Sequence, residues 1–184
     1  MPVVTSFVVI SGIWRWLFRG SEQGIVNQLL GLLNIEPQMF LSSSNQVLIV
    51  LAGLSIYKVV GSTMIYYYAG LNSIPEEYYE AAKIDGAGKW KSFWKITFPL
   101  LVPIHFYVAI TTTIGSFQVF DSAYLLTGGG PNFASNTIVY YMYQQGFSSL
   151  RFGYASVLAY ALFILVFAVS LIQRKFLGKQ VDYS

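Results

Sequence analysis

The 184-residue chain has no cysteine, a single histidine and little charge: 8 Asp and Glu, 11 Lys and Arg, 10% in all. The lack of cysteine excludes a disulfide framework, a thiolate metal site and a cysteine nucleophile. No group of His, Asp and Glu has metal-ligand spacing. The scarcity of charge excludes more. A soluble domain carries about 25% charged residues, and a globule this poor in them cannot cover itself with water-compatible surface. Ordinary cytosolic enzymes and disordered chains are ruled out, and there is no collagen-like or internal repeat. In their place stand 55% hydrophobic residues, 17% aromatics and a mean hydropathy of +0.55. The expectation is an integral membrane protein.

A helix needs about 20 apolar residues to cross a hydrocarbon core of roughly 30 Å. Four segments approach this: Pro2 to Phe18, Val47 to Leu71, Phe98 to Phe120 and Tyr154 to Phe176. Each must be helical, because an open strand cannot satisfy its backbone in lipid. The predicted fold class is all-α, a polytopic bundle of four spans. Lys83, Lys89, Lys91, Lys95, Arg174, Lys175 and Lys179 flank one side, against Arg15, Arg19 and Arg151 on the other. The Lys-rich side is therefore expected in the cytoplasm, together with the C-terminus. Trp14 and Trp16 then suit an outer aromatic belt, and Tyr66, Tyr67 and Tyr68 fall near the inner end of the second span. Met1 opens almost inside the first span with no basic flank, so an upstream portion is expected to be missing. Between the first two spans, Ile25, Leu29, Leu32 and Leu33 lie at helical spacing. They predict a short helix, either on the interface or capping the bundle.

Residues 72–98, between the second and third spans, carry the strongest local signal. Ser73 and Glu76 have capping-box spacing, with Pro75 in the first turn. Glu76, Glu77 and Glu80 favour a helix N-terminal end. Asp85-Gly86 breaks that helix, with Gly86 supplying a positive φ or a close approach. A second helix is predicted over Ala87 to Phe98. Its Trp90, Phe93 and Trp94 form one apolar stripe, which needs a partner surface or a membrane surface to cover it.

Glu80-Ala81-Ala82, Asp85-Gly86 and then Ile96-Thr97-Phe98-Pro99 resemble the EAA loop of membrane subunits of binding-protein-dependent ABC importers. Phe98 replaces the leucine usual before the proline, a conservative departure. Leu125-Leu126-Thr127-Gly128-Gly129-Gly130-Pro131 is similar to a segment of the maltose-type subunit of sugar permeases. The resemblance extends over essentially the whole chain, and it implies about two further spans upstream. It also implies that Glu80, Ala81, Ala82, Asp85, Gly86, Ile96 and Pro99 couple the subunit to a separate ATP-binding cassette ATPase. The implied function is import of a sugar or oligosaccharide across a bacterial-type inner membrane by alternating access. The implied partners are ATPase subunits, a second homologous permease subunit, an extracytoplasmic sugar-binding protein and the lipid bilayer. No cofactor and no nucleic acid are expected, and the chain itself is not an enzyme. A polyol or glycerol phosphate permease and a non-transporting truncated remnant are the alternatives.

Other functions find less support. The glycine run at 128–130 lacks the G-K-[ST] of a phosphate loop. His105, beside aromatics and without a nucleophile or a carboxylate one turn away, reads as a packed or interfacial histidine rather than a catalytic one. A simple channel has no use for an EAA loop. Lys58 stands near the middle of the second span, where a charge costs at least about 2.5–3.5 kcal/mol. Ser55, Lys58, Val59 and Ser62 share one helical face there, and Thr112 and Ser116 share one on the third span. These residues either line a solute pathway or serve helix packing.

Overall fold

The computed structural model describes residues 3–177, and every regular element among them is a helix. The helices are α1 (Phe7–Leu17), α2 (Ile25–Leu32), α3 (Val47–Asn72), α4 (Glu76–Ile84), α5 (Lys89–Leu100), α6 (Val102–Phe117), α7 (Ile138–Tyr143) and α8 (Phe152–Leu177). Both α3 and α8 have 26 residues, about 39 Å at ~1.5 Å per residue. They are long and apolar enough to cross a bilayer. Their most apolar windows are only 17% and 6% buried within the chain, so lipid or other subunits must cover the remainder.

The expected third span, Phe98 to Phe120, is α6, shorter at both ends, and the expected loop helix before it is α5, which runs on to Leu100. The two are bent by 62° around Leu101. The cause lies in Pro99 and Pro103, which have no N–H. The carbonyls of Lys95 and Pro99 therefore lose the donors four residues on. The bent pair counts as a third crossing if it is one span. The first candidate span is also shorter than expected: α1 has 11 residues, about 16 Å at ~1.5 Å per residue. Pro2 and Lys179 lie outside the described residues.

The chain divides into two compact units. The first takes residues up to Val60 together with Gly115–Ile164. Ile10, Val47, Leu51, Leu54, Ala123, Leu126 and Tyr140 form its core, with Trp14, Phe120 and Tyr143 packed against them. Trp14 is no lipid-belt residue. Its indole donates to the Val50 carbonyl at 3.2 Å and its ring packs on Phe18 and Tyr57, whereas Trp16 is exposed. The predicted short helix is α2, and Leu29, Leu32 and Leu33 are exposed on it or just after it. It is held by a residue the hydrophobic pattern does not single out. Buried Asn27 donates to the carbonyls of Arg19, Ser21 and Gln38 and accepts from the Gln38 amide, at 3.2, 3.0, 2.9 and 2.8 Å.

The second unit takes Gly61–Ile114 together with residues from Leu165 on. Gly70 lets α3 approach α6, since a Cβ there would lie 2.8 Å from Ile104 and 2.9 Å from Leu101. Gln173 on α8 donates to the Thr113 hydroxyl at 2.7 Å. His105 is packed, with Nδ1 2.9 Å from the Tyr67 hydroxyl and its ring centroid 4.6 Å from that of Phe98.

Candidate functional site

Within the second unit, α4 and α5 form a helical hairpin. Glu76 and Glu77 occupy the first turn of α4, where their charge complements the exposed N–H groups. The predicted capping box does not form. Pro75 is the N-cap and makes no side-chain cap bond. The Ser73 hydroxyl instead donates back to the Gly70 carbonyl at 2.7 Å, closing the end of α3.

The end of α4 is a Schellman motif. Gly86 has φ +70°, its amide reaches the Lys83 carbonyl at 3.0 Å, and the Ala87 amide reaches the Ala82 carbonyl at 2.8 Å. Of the two reasons expected for this glycine, the positive φ is the one that operates, because a Cβ there would meet nothing within 4 Å. After Gly88, α5 starts at Lys89, two residues later than the pattern predicts. It contains a π turn over Phe93–Thr97. The two arms are clasped by Tyr79 and Thr97, whose hydroxyls lie 2.9 Å apart, with Thr97 buried. Hydrophobic spacing singles out neither residue of this clasp.

The predicted stripe is continuous. Trp90, Phe93, Trp94 and Phe98 touch in succession, stacked, edge-to-face and tilted in turn, with adjacent ring centroids 5.2–6.1 Å apart. They remain largely uncovered, Trp90 at 75% exposure and the neighbouring Ile84 at 88%. The EAA-motif residues divide between two tasks. Glu80, Ala81, Asp85 and Gly86 are exposed, while Ala82 is buried and Ile96 and Pro99 are half-buried. The hairpin thus presents carboxylates and large apolar rings to whatever meets it, and holds itself from within.

The candidate pathway residues are placed as follows. Lys58 donates to the Thr5 carbonyl at 2.7 Å, with its ammonium 5.7 Å from the centre of the Phe7 ring. That contact compensates a charge that lipid alone would not tolerate. The Ser55 hydroxyl bonds the Leu51 carbonyl at 3.0 Å and Thr112 bonds the Val108 carbonyl at 2.6 Å, each on its own helix. Val59 is exposed, Ser62 half-buried and Ser116 exposed. Ser55, Lys58, Val59 and Ser116 belong to the first unit, Ser62 and Thr112 to the second.

The model of the family described as binding-protein-dependent transport system inner membrane component matches residues 1–179. The chain belongs to this family. The arabinooligosaccharides transport system permease protein AraP of Bacillus subtilis is 35% identical over 179 residues, covering 97% of this chain and 57% of that protein. The sn-glycerol-3-phosphate transport system permease protein UgpA of Agrobacterium fabrum is 32% identical over 184 residues, with 100% and 62% coverage. Among solved structures, a bacterial ABC transporter involved in import of the acidic polysaccharide alginate matches with a TM-score of 0.85 at 24% identity. It is matched over 97% of this chain and 62% of its own. At that identity the likeness establishes the family's helical fold. The chain spans about three fifths of the length of these relatives, 57% and 62%.

Proposed function

We propose that residues 1–184 are a transmembrane permease domain of an ABC importer, with residues 72–98 as its coupling loop. Four segments cross the inner membrane: α1, α3, α6 and α8, with α5 leading from the hairpin into α6. The hairpin and the C-terminus lie in the cytoplasm, on the side richer in Lys and Arg. Glu80, Ala81, Ala82, Asp85, Gly86, Ile96 and Pro99 form the docking element for a separate ATPase subunit, which performs all hydrolysis. A second homologous permease subunit covers the uncovered flanks of α3 and α8. A sugar-loaded extracytoplasmic receptor delivers a sugar or oligosaccharide, which moves by alternating access. Ser55, Lys58, Val59, Ser62, Thr112 and Ser116 contribute to the solute pathway.

The observation that carries this reading is the hairpin itself. It is a self-closed helical turn, carrying the family's motif, with an uncovered aromatic stripe. A second solute class, glycerol phosphates, is favoured by the similarity to a permease for sn-glycerol 3-phosphate along the whole chain. The test is reconstitution of the complete complex in proteoliposomes, with labelled oligosaccharide uptake and receptor-stimulated ATP hydrolysis measured together. Gly86→Leu should abolish the stimulation while the spanning helices stay folded. Unchanged stimulation in a fully assembled complex overturns the coupling role. Uptake of the glycerol phosphate in place of the sugar selects the second class.

A further inference from the structure

The first unit holds an open pocket of about 440 Å³ that none of the proposed coupling or pathway residues lines. Arg15, Arg19, Ser42, Thr127, Gly130 and Pro131 line it, and no carboxylate does. Arg15 and Arg19 are both exposed and give this pocket positive charge, which an anion bound there offsets.

The walls are built rather than loose. The Arg15 guanidinium donates to the Leu125 carbonyl, which fixes one edge of its fork. Arg19 is fixed through its backbone. Its carbonyl accepts from Asn27 at 3.2 Å, and Gly24 approaches so closely that a Cβ would lie 2.3 Å from that oxygen. On the opposite wall, the Thr127 hydroxyl lies 2.6 Å from that of Ser135, which is 1% exposed. Gly129 is held at φ +84° against the Tyr140 ring, 2.8 Å from where its Cβ would stand.

We propose that this cavity is an anion site, taking a carboxylate, sulfonate or phosphate group borne on a small solute. Guanidinium offers its donors as a planar fork that matches a two-oxygen anion, which a neutral sugar hydroxyl does not. The volume falls within the range of small-molecule pockets, so it admits an organic body behind the charged group. Ser42 supplies a hydroxyl for that body, beside Thr127, whose own hydroxyl bonds the Ala123 carbonyl and Ser135. No residue of the EAA hairpin or of the polar face of α3 is among the lining residues.

The test uses the complete complex in nanodiscs and phenylglyoxal, which modifies guanidinium groups. Peptide mass spectrometry reads modification at Arg15 and Arg19, with the exposed Arg151 and Arg174 as controls. The probes are glucuronate, inorganic phosphate and glucose at matched ionic strength. Glucuronate should slow modification of Arg15 and Arg19 by about tenfold, in keeping with charge-assisted hydrogen bonds, and leave the controls unchanged. Glucose should not protect. Protection by phosphate as well places recognition in the charged group alone, whereas protection by glucuronate only adds the ring. Both outcomes support an anion site. Arg19→Gln should remove the protection at Arg15. If that variant does not assemble, Arg19→Lys, which keeps the charge and loses the fork, should weaken protection several-fold and carries the same test. Equal slowing at all four arginines, protection by glucose, protection only by an added receptor protein, or undiminished protection in the variant overturns the site.

Discussion

Leu54 and Trp90 are both large apolar side chains, and they are treated in opposite ways. Leu54 is 0% exposed in the core of the first unit, while Trp90 is 75% exposed on the hairpin of the second. The core around Leu54 completes its apolar contacts within the chain. The hairpin leaves its own for another surface. Their polar devices differ as well. The loops around α2 are tied by a side-chain amide, Asn27, whereas the turn between α4 and α5 is closed by backbone bonds at Gly86. A turn closed by backbone leaves its side chains uncommitted. Under the proposed coupling role, the hairpin's presented face is set by the ATPase subunit it docks, while the core's residues are set by what they already touch.

The contrast breaks most sharply at Leu54. Leu54→Ala should lower the stability of the complex by about 2–5 kcal/mol, the range for a buried leucine, seen as a reduced thermal midpoint of the nanodisc-embedded complex. An unchanged midpoint would mean that this core is not what holds the first unit. Next comes Trp90→Ala. It should leave that midpoint nearly untouched and weaken capture of the ATPase by about 2 kcal/mol or more, as for an aromatic interface anchor. A pull-down titration measures it, and equal ATPase binding would detach the stripe from docking.

Gly86→Ala should cost about 1–2 kcal/mol, because a Cβ strains the left-handed conformation. The ATPase affinity of this variant should fall while helix content by circular dichroism stays constant. The smallest effect belongs to Tyr79→Phe, which removes the clasp to Thr97 for roughly 0.5–1.5 kcal/mol. Amide hydrogen exchange across residues 89–100 should quicken in this variant, and exchange identical to that of the parent chain would show that the clasp is idle.

What the sequence made legible follows from the kind of signal each element leaves. Long apolar runs locate α3 and α8 to within a few residues, because hydrophobic length is all a crossing helix needs. Asp85-Gly86 marked the hairpin turn, since few residues adopt positive φ. The break between the loop helix and the third span falls at Leu101 rather than at the expected Phe98, because apolarity runs on past Phe98 and Pro99 and Pro103 set the bend. Ser73 and Glu76 matched a capping box by spacing, yet the Ser73 hydroxyl found a nearer acceptor in Gly70. Asn27, the Tyr79–Thr97 clasp and the paired arginines left no periodic trace. Their partners lie up to 18 residues away in the chain for Asn27 and the clasp, and the pocket draws on three separate chain segments. Such contacts exist only after folding brings the segments together.

The two prolines at the α5–α6 bend have a mechanical consequence. An intact helix resists flexing because each carbonyl on the opening side must stretch a hydrogen bond. Around Leu101 two of those bonds were never formed, so this point is a compliant hinge between stiffer rods. A load on α5, an arm of 12 residues and about 18 Å at ~1.5 Å per residue, becomes a torque there at little elastic cost. Under the proposed coupling role, work done on the hairpin goes into turning α6 rather than into breaking its backbone.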